Sequence, residues 1–279
     1  MPAPTPPAPT LPAPTPLAHD RSGPTGSAAP LVLIHAGVAD RRMWEPQWAA
    51  LTRDHDVVRV DLRGFGESSA PPVDGWSHRE DVAATLAALG IDRAHLVGCS
   101  LGAGVAVEVA LTVPGLAASL LLVTPGGALI TGATDELLEC WRAEGEPLDA
   151  GDLDAAAAAN VDWWFAGPHR GAGAVDPDAA RLVHTMQRRA FEIGADWDDV
   201  DEAELDPSAA DRLGEITVPT LVLAGALDID AIGVAAAGVV VGVPGARLVT
   251  WADTAHLPSL ERPDDFVTLV EEWLASLAL

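Results

Sequence analysis

The chain has no lysine: all 16 of its basic residues are arginine, and 41 acidic residues face them. A formal net charge of −25 leaves nothing from which to build the basic patch that a nucleic acid or an anionic membrane surface requires, so neither partner is expected. Cysteine is nearly missing as well. Cys99 and Cys140 are too few for a disulfide framework or a zinc site, which points to a reduced, cytoplasmic chain without a structural metal. A long unbroken hydrophobic run is also lacking. Residues 94–130 are strongly apolar, but Glu108, Pro114 and several glycines divide them into strand, helix and strand, so no membrane span is expected. The first 24 residues have neither the basic nor the apolar region of a secretory signal. They are rich in Pro, Ala and Thr, and residues 1–24 are expected to form a disordered tail.

What remains suffices for one sizeable core plus an insertion. Short apolar runs at 30–37, 56–66, 93–99, 117–125, 218–226 and 246–253 read as buried strands. Helical spacing marks 81–91 and 101–113, the latter apolar nearly all round. A closing helix over 263–279 carries Phe266, Leu269, Val270, Trp273 and Leu277 on one stripe. Such alternation predicts an α/β fold, a mostly parallel sheet flanked by helices. The rhythm breaks between 126 and 215, where helical pieces occur without a convincing strand. Residues 135–212 hold 20 acidic and six basic side chains, and the segment is rich in Trp and Phe. It is predicted to be an inserted helical lid, with 25–125 and 216–279 as the core.

In a parallel sheet, ligands bind beyond the carboxyl ends of the strands. The residues found there are His35 to Val38 after the first run, Ser100 after the third, Asp228 after the fifth and His256 after the sixth. A serine hydroxyl needs a base to take its proton, histidine suits that work near neutral pH, and a carboxylate fixes the imidazole tautomer. Gly98 and Gly102 allow a crowded turn that exposes the Ser100 hydroxyl. Leu101 opens the following helix, so its N–H faces the site at the positive helix end. A second N–H must come from the loop after the first strand, where Gly37 offers close backbone approach. Asp230 competes with Asp228, and turn spacing favours Asp228. Cys99 beside Ser100 reads as a buried hydrophobe rather than a second nucleophile. His35 reads as a residue that orients its loop, and Asp61 and Arg63 as pins for the glycine turn that follows.

These blocks carry a resemblance. "LVGCSLGAG" resembles the nucleophile elbow of the α/β-hydrolase family, and "VDLRGFGES" its loop before the elbow helix. "LVLIHAGVADRRMW" is similar to the family's oxyanion loop, "LVLAGALD" to its acid turn, and "TAHLPSLERPDDF" to its histidine loop and closing helix. The order Ser, Asp, His matches, and the likeness covers roughly residues 17–279. It implies Ser100 as nucleophile, His256 as base, Asp228 as acid, the N–H groups of Gly37 and Leu101 as the oxyanion hole, and no cofactor or metal. A serine in place of the nucleophilic aspartate disfavours epoxide hydrolases and haloalkane dehalogenases. Three departures stand out. His-Ala-Gly replaces the usual His-Gly, which leaves the second oxyanion donor open. The proline-rich tail stands where a first edge strand normally lies, so a shorter sheet is expected. Residues 231–246 carry no charge where the family shows an amphipathic helix, which suggests a homodimer contact, plain burial or poor order.

The implied function is a serine hydrolase acting on a small, neutral or apolar ester or lactone through an acyl-enzyme. Val38 and the "DWWF" residues Trp163, Trp164 and Phe165 are the candidate pocket wall, with lid core as the equal reading of the aromatics. The acidic lid disfavours a carboxylate substrate unless Arg188 or Arg189 points inward. Two groups of rivals share the frame: a carbon–carbon bond hydrolase, lyase, cyclase or cofactor-free perhydrolase, and a ligand-sensing receptor that retains the triad.

Overall fold

The computed structural model describes residues 16–26, 29–195, 197 and 200–277. Seven strands form one sheet: β1 (His19–Ser22), β2 (Leu31–Ile34), β3 (Val57–Val60), β4 (Ala94–Cys99), β5 (Ala117–Val123), β6 (Thr220–Gly225) and β7 (Arg247–Trp251). Their order is β1-β3-β2-β4-β5-β6-β7, parallel throughout except for β1, which pairs antiparallel with β3. The helices are α1 (Glu45–Asp54), α2 (His78–Ala88), α3 (Leu101–Thr112), α4 (Asp135–Asp149), α5 (Leu153–Asn160), α6 (Pro177–Gly194), α7 (Asp230–Gly242), α8 (Pro258–Glu261) and α9 (Pro263–Leu277).

Strand alternation divides the core into two layers. Val32, Ile34, Leu120, Leu122 and Val222 point to the side packed by Val82 and Leu86 of α2, Val105 and Val109 of α3, and Val239 of α7. Leu31, Leu33, Leu121, Val123, Leu221 and Leu223 point the other way, against Leu51 of α1 and Phe266, Val270 and Trp273 of α9. Both faces of the central strands β2 to β6 are covered, which is why those strands read as mostly apolar runs. No helix among the described residues is long and apolar enough to cross a membrane.

Two expectations need correction. The stretch 1–24 is not a tail throughout, and the sheet is not shortened by the loss of its first edge strand. Residues 1–15 lie outside the described residues, but His19–Ser22 is β1. Leu17 is buried in the core and donates its N–H to Thr85 Oγ1 at 2.9 Å. Arg21 forks onto Asp56, and Asp20 receives Arg41 and Arg59. A four-residue polar edge strand held by ion pairs and one ladder has no apolar run to announce it. The uncharged stretch 231–246, for its part, folds largely into α7. Ile232, Ala235, Ala236 and Val239 face inward, while Val234 and Val241 stay exposed.

Between β5 and β6 lie α4, α5, a π-helical turn (Val161–Ala166) and α6, the inserted helical lid. Thr134, Asp152 and Asp176 cap α4, α5 and α6 with side-chain oxygens, which sets where each begins. The chain leaving the lid is strapped to the start of α2. Ala203 N–H bonds Trp76 O at 2.7 Å, Trp76 Nε1–H bonds Val200 O at 3.3 Å, and Glu202 Oε1 accepts the His78 N–H at 2.7 Å.

Candidate active site

β4 runs directly into α3 through Ser100, whose φ of 51° and ψ of −115° are strained for a residue with a Cβ. The strain is imposed by two crowded glycines. A methyl at Gly98 would lie 2.1 Å from Gly102 O, and one at Gly102 would lie 2.4 Å from Ile34 O. Backbone bonds hold the turn: Ser100 N–H to Val123 O at 2.9 Å, and Ala103 N–H to Ser100 O at 2.9 Å. The serine side chain is thereby lifted off the sheet edge, half-buried, beside Gly126, where an added methyl would stand 3.0 Å from Ser100 Oγ.

Leu101 is the first residue of α3, so its N–H has no helical carbonyl to bond. The loop after β2 comes down on it: a methyl at Gly37 would touch Leu101 Cβ at 3.6 Å. Neither Gly37, Val38 nor Leu101 donates its N–H to an acceptor among the described residues. The other N–H groups of that loop are engaged, two of them on sulfur. Ala36 donates to Met43 Sδ and Asp40 to Met186 Sδ, both at 3.4 Å, and Met186 belongs to the lid helix α6. His35 locks the loop from below. Its Nε2 accepts the Leu62 N–H at 2.9 Å, so Nδ1 carries the proton and donates to Ala36 O at 2.8 Å. Full burial pushes its pKa down, which keeps it neutral. The Asp61 carboxylate accepts the N–H groups of Arg41 and Glu67 at 2.8 and 2.9 Å, and Arg63 forks onto Asp81, so both residues pin the glycine turn.

Asp228 follows β6 and His256 follows β7. His256 Nδ1 lies 2.8 Å from Asp228 Oδ2, and both side chains are almost wholly buried. Asp228 Oδ1 accepts the N–H of Ile229 at 2.8 Å, which fixes the carboxylate plane. Asp230 instead begins α7 and takes the Thr134 hydroxyl, so Asp228 is the carboxylate that reaches the histidine. The His256 carbonyl accepts Thr124 Oγ1–H at 2.8 Å, with Cys99 Sγ at 3.8 Å. Those contacts tie the histidine loop to the residue preceding Ser100. Burial pushes the Cys99 thiol up to about 12, so it is no thiolate at neutral pH.

Of the predicted pocket residues, only Trp164 reaches this pair. Its ring centroid is 4.5 Å from that of His256, and its carbonyl accepts the His256 N–H at 3.3 Å. Trp163 is half-buried, Val38 is buried on the loop next to Gly37, and Phe165 has no exposed surface and joins the core under the lid. Arg188 is taken up by Asp154 and Glu192, and Arg189 lies 3.7 Å from Glu192. No group of three His, Cys, Asp or Glu side chains among the described residues could hold a metal. Sequence reasoning missed Thr124, Met43 and Met186. Thr124, with φ of 42°, stands just before the Pro-Gly-Gly that follows β5, and that run of turn residues was its only signal.

A half-buried serine at a strand-to-helix turn, a buried imidazole with Nδ1 on a carboxylate, and unengaged N–H groups at a helix start are the parts of an acyl-transfer site. A family model described as alpha/beta hydrolase fold matches residues 29–174. A putative carbamate hydrolase RutD of Pseudomonas savastanoi is 28% identical over 261 residues, covering 88% of this chain and 94% of that one. The 3-oxoadipate enol-lactonase 1 of Acinetobacter baylyi is 25% identical over 267 residues, with 92% of each chain covered. Among solved structures, an enol-lactonase from Burkholderia xenovorans superposes with a TM-score of 0.75 at 25% identity, over 93% of this chain and 96% of that one.

Proposed function

This chain belongs to the alpha/beta hydrolase fold family, among its esterase- and lactonase-like members, and from that premise we propose that it hydrolyses a small ester or lactone with Ser100 as nucleophile, His256 as base and Asp228 as acid. The observation that carries the reading is the 2.8 Å bond from His256 Nδ1 to Asp228 Oδ2, on a histidine whose loop is tied to the residue before Ser100. That bond leaves Nε2 as the basic nitrogen.

His256 Nε2 takes the Ser100 proton as Oγ attacks the carbonyl carbon. Negative charge then develops on the carbonyl oxygen, and the N–H groups of Gly37 and Leu101 stabilise it with the positive end of α3 behind them. His256 returns the proton to the leaving oxygen, which departs and leaves the acyl group on Ser100. Water, deprotonated by the same nitrogen, attacks the acyl-enzyme, and the acid product leaves with Ser100 regenerated. In a lactone the leaving oxygen stays tethered and the product is a hydroxy acid. The acidic lid and the Trp164 ring beside His256 favour a neutral or apolar acyl group over a carboxylate-bearing one.

Hydrolysis of p-nitrophenyl acetate and butyrate by the wild type and by Ser100→Ala tests this. The expected result is steady turnover after a burst of about one nitrophenol per chain, with turnover in the alanine variant lower by about 10⁴-fold or more. Turnover that survives Ser100→Ala overturns the assignment. A single burst without turnover argues for a triad-bearing receptor.

A further inference from the structure

On the α3 side of the sheet, lined by neither His256 nor Asp228, a cleft of about 970 Å³ opens between α3, the short helical turn Gly127–Leu129 with Ile130 after it, and the strap that leaves the lid. Leu101, Val105 and Ile130 line it with apolar surface, and Glu108, Glu202 and Glu204 line it with carboxylates. Acidic side chains on a strap of an acidic protein mean little in themselves. Glu108 is different. It is 7% exposed, it stands in an otherwise uncharged helix, and its carboxylate has no hydrogen-bond or ion-pair partner among the described residues. Its oxygens keep a little surface, and the burial around them disfavours the charged form. The nearest cation, Arg79 of α2, spends a guanidinium N–H on the carbonyl of Ala203.

We infer that this cleft binds a small organic cation with an apolar body, an alkylammonium, whose charged head meets Glu108 while its chain lies along Val105 and Leu101. Three features define that chemistry. The lining contains several carboxylates and no basic side chain, so an anion is repelled. The apolar wall runs along one helix face, since Leu101, Val105 and Glu108 are four and three residues apart. From Glu108 to Leu101 is seven residues, roughly 10 Å of helix, which a chain of about six carbons spans. Burial raises the Glu108 carboxyl to about 7, against the pull of Arg79 and with the push of Glu202 and Glu204, and an ammonium in the cleft would relieve that cost. A ligand there rests on Leu101, the residue after Ser100, while Ser100, Asp228 and His256 do not line the cleft.

The test is direct binding of n-hexylammonium to the full chain by titration calorimetry, with 1-hexanol as the neutral analogue and hexanoate as the anion. Heat of binding does not depend on whether Ser100 is a nucleophile, so Ser100→Ala must bind hexylammonium as the wild type does even if it hydrolyses nothing. The expected result is one site per chain, at least ten-fold tighter for hexylammonium than for hexanol, with hexanoate silent. Glu108→Gln keeps the shape and loses the charge, and hexylammonium should weaken at least ten-fold while hexanol is unchanged. Ala128→Trp fills the cleft from its exposed wall and should abolish binding of both. Equal binding of the amine and the alcohol, unchanged affinity in Glu108→Gln, or no saturable binding at millimolar amine overturns the inference.

Discussion

A methyl group at Gly102 has no room, because the backbone oxygens of Ile34 and His35 stand 2.4 and 2.5 Å from where it would sit. Gly102→Ala must therefore push α3 off the end of β2, and a loss of about 2–4 kcal/mol in a urea melt is expected. Asp228→Asn should leave the fold intact and lower kcat for p-nitrophenyl butyrate by about 10³- to 10⁴-fold, since an amide N–H turned toward Nδ1 favours the tautomer that protonates Nε2. Glu108 yields a prediction for stability. Its carboxyl is raised from 4.5 to about 7, so folding prefers the protonated form; that preference is fully present below pH 4.5 and is lost as pH rises through 7. Glu108→Gln escapes the loss. Unfolding free energies from urea melts should match the wild type at pH 4.5 and exceed it at pH 8, by about 1–3 kcal/mol.

At the scale of elements, the lid helix and the loop after β2 are joined by one soft bond, Asp40 N–H to Met186 Sδ at 3.4 Å. Met186→Leu keeps the volume and removes the acceptor. Kinetics should show kcat lower by about five-fold with KM within two-fold, as a bond worth about 1 kcal/mol that positions the Gly37 loop would require. Nothing in the sequence reveals this contact, because the two residues are 146 apart and methionine is the least directional of acceptors. The strands of the central sheet, β2 to β6, were legible because burial on both faces makes each mostly apolar, with few polar residues such as Arg59 and His95 among them. The strand β1 was not, because a polar edge strand needs only a neighbour's ladder and a few ion pairs. The order of Ser100, Asp228 and His256 was legible for a similar reason: each follows a strand at the same sheet edge. The aromatic run at 162–165 was only half legible. A π-helical turn aims Trp164 at His256 and buries Phe165, and periodicity carries no signal for such a turn.

Over the whole molecule, the net charge of −25 makes electrostatics a property of the surface rather than of any pair. Raising salt from about 0.02 to 0.5 M, which shortens the Debye length from roughly 20 Å to about 4 Å, should raise the melting temperature. The same change should lower kcat/KM for a cationic choline ester while leaving a neutral ester nearly unchanged. The lid, meanwhile, is not simply laid over the core. Its π-helical turn accepts the N–H of His256, a methyl added at Gly167 would strike Leu227 O at 2.4 Å, and Arg170 reaches Asp253 O and Glu261. Exchange of residues 126–215 for a relative's lid, the obvious way to graft a new specificity, would therefore carry away part of the bracket that holds the histidine. The modular boundary for such a chimera lies after Arg170. Grafts cut there keep the bracket on His256 but give up the Met186 bond to the Asp40 N–H and the strap onto α2, so they should lose several-fold in kcat, while those cut at 126 should lose the chemistry itself.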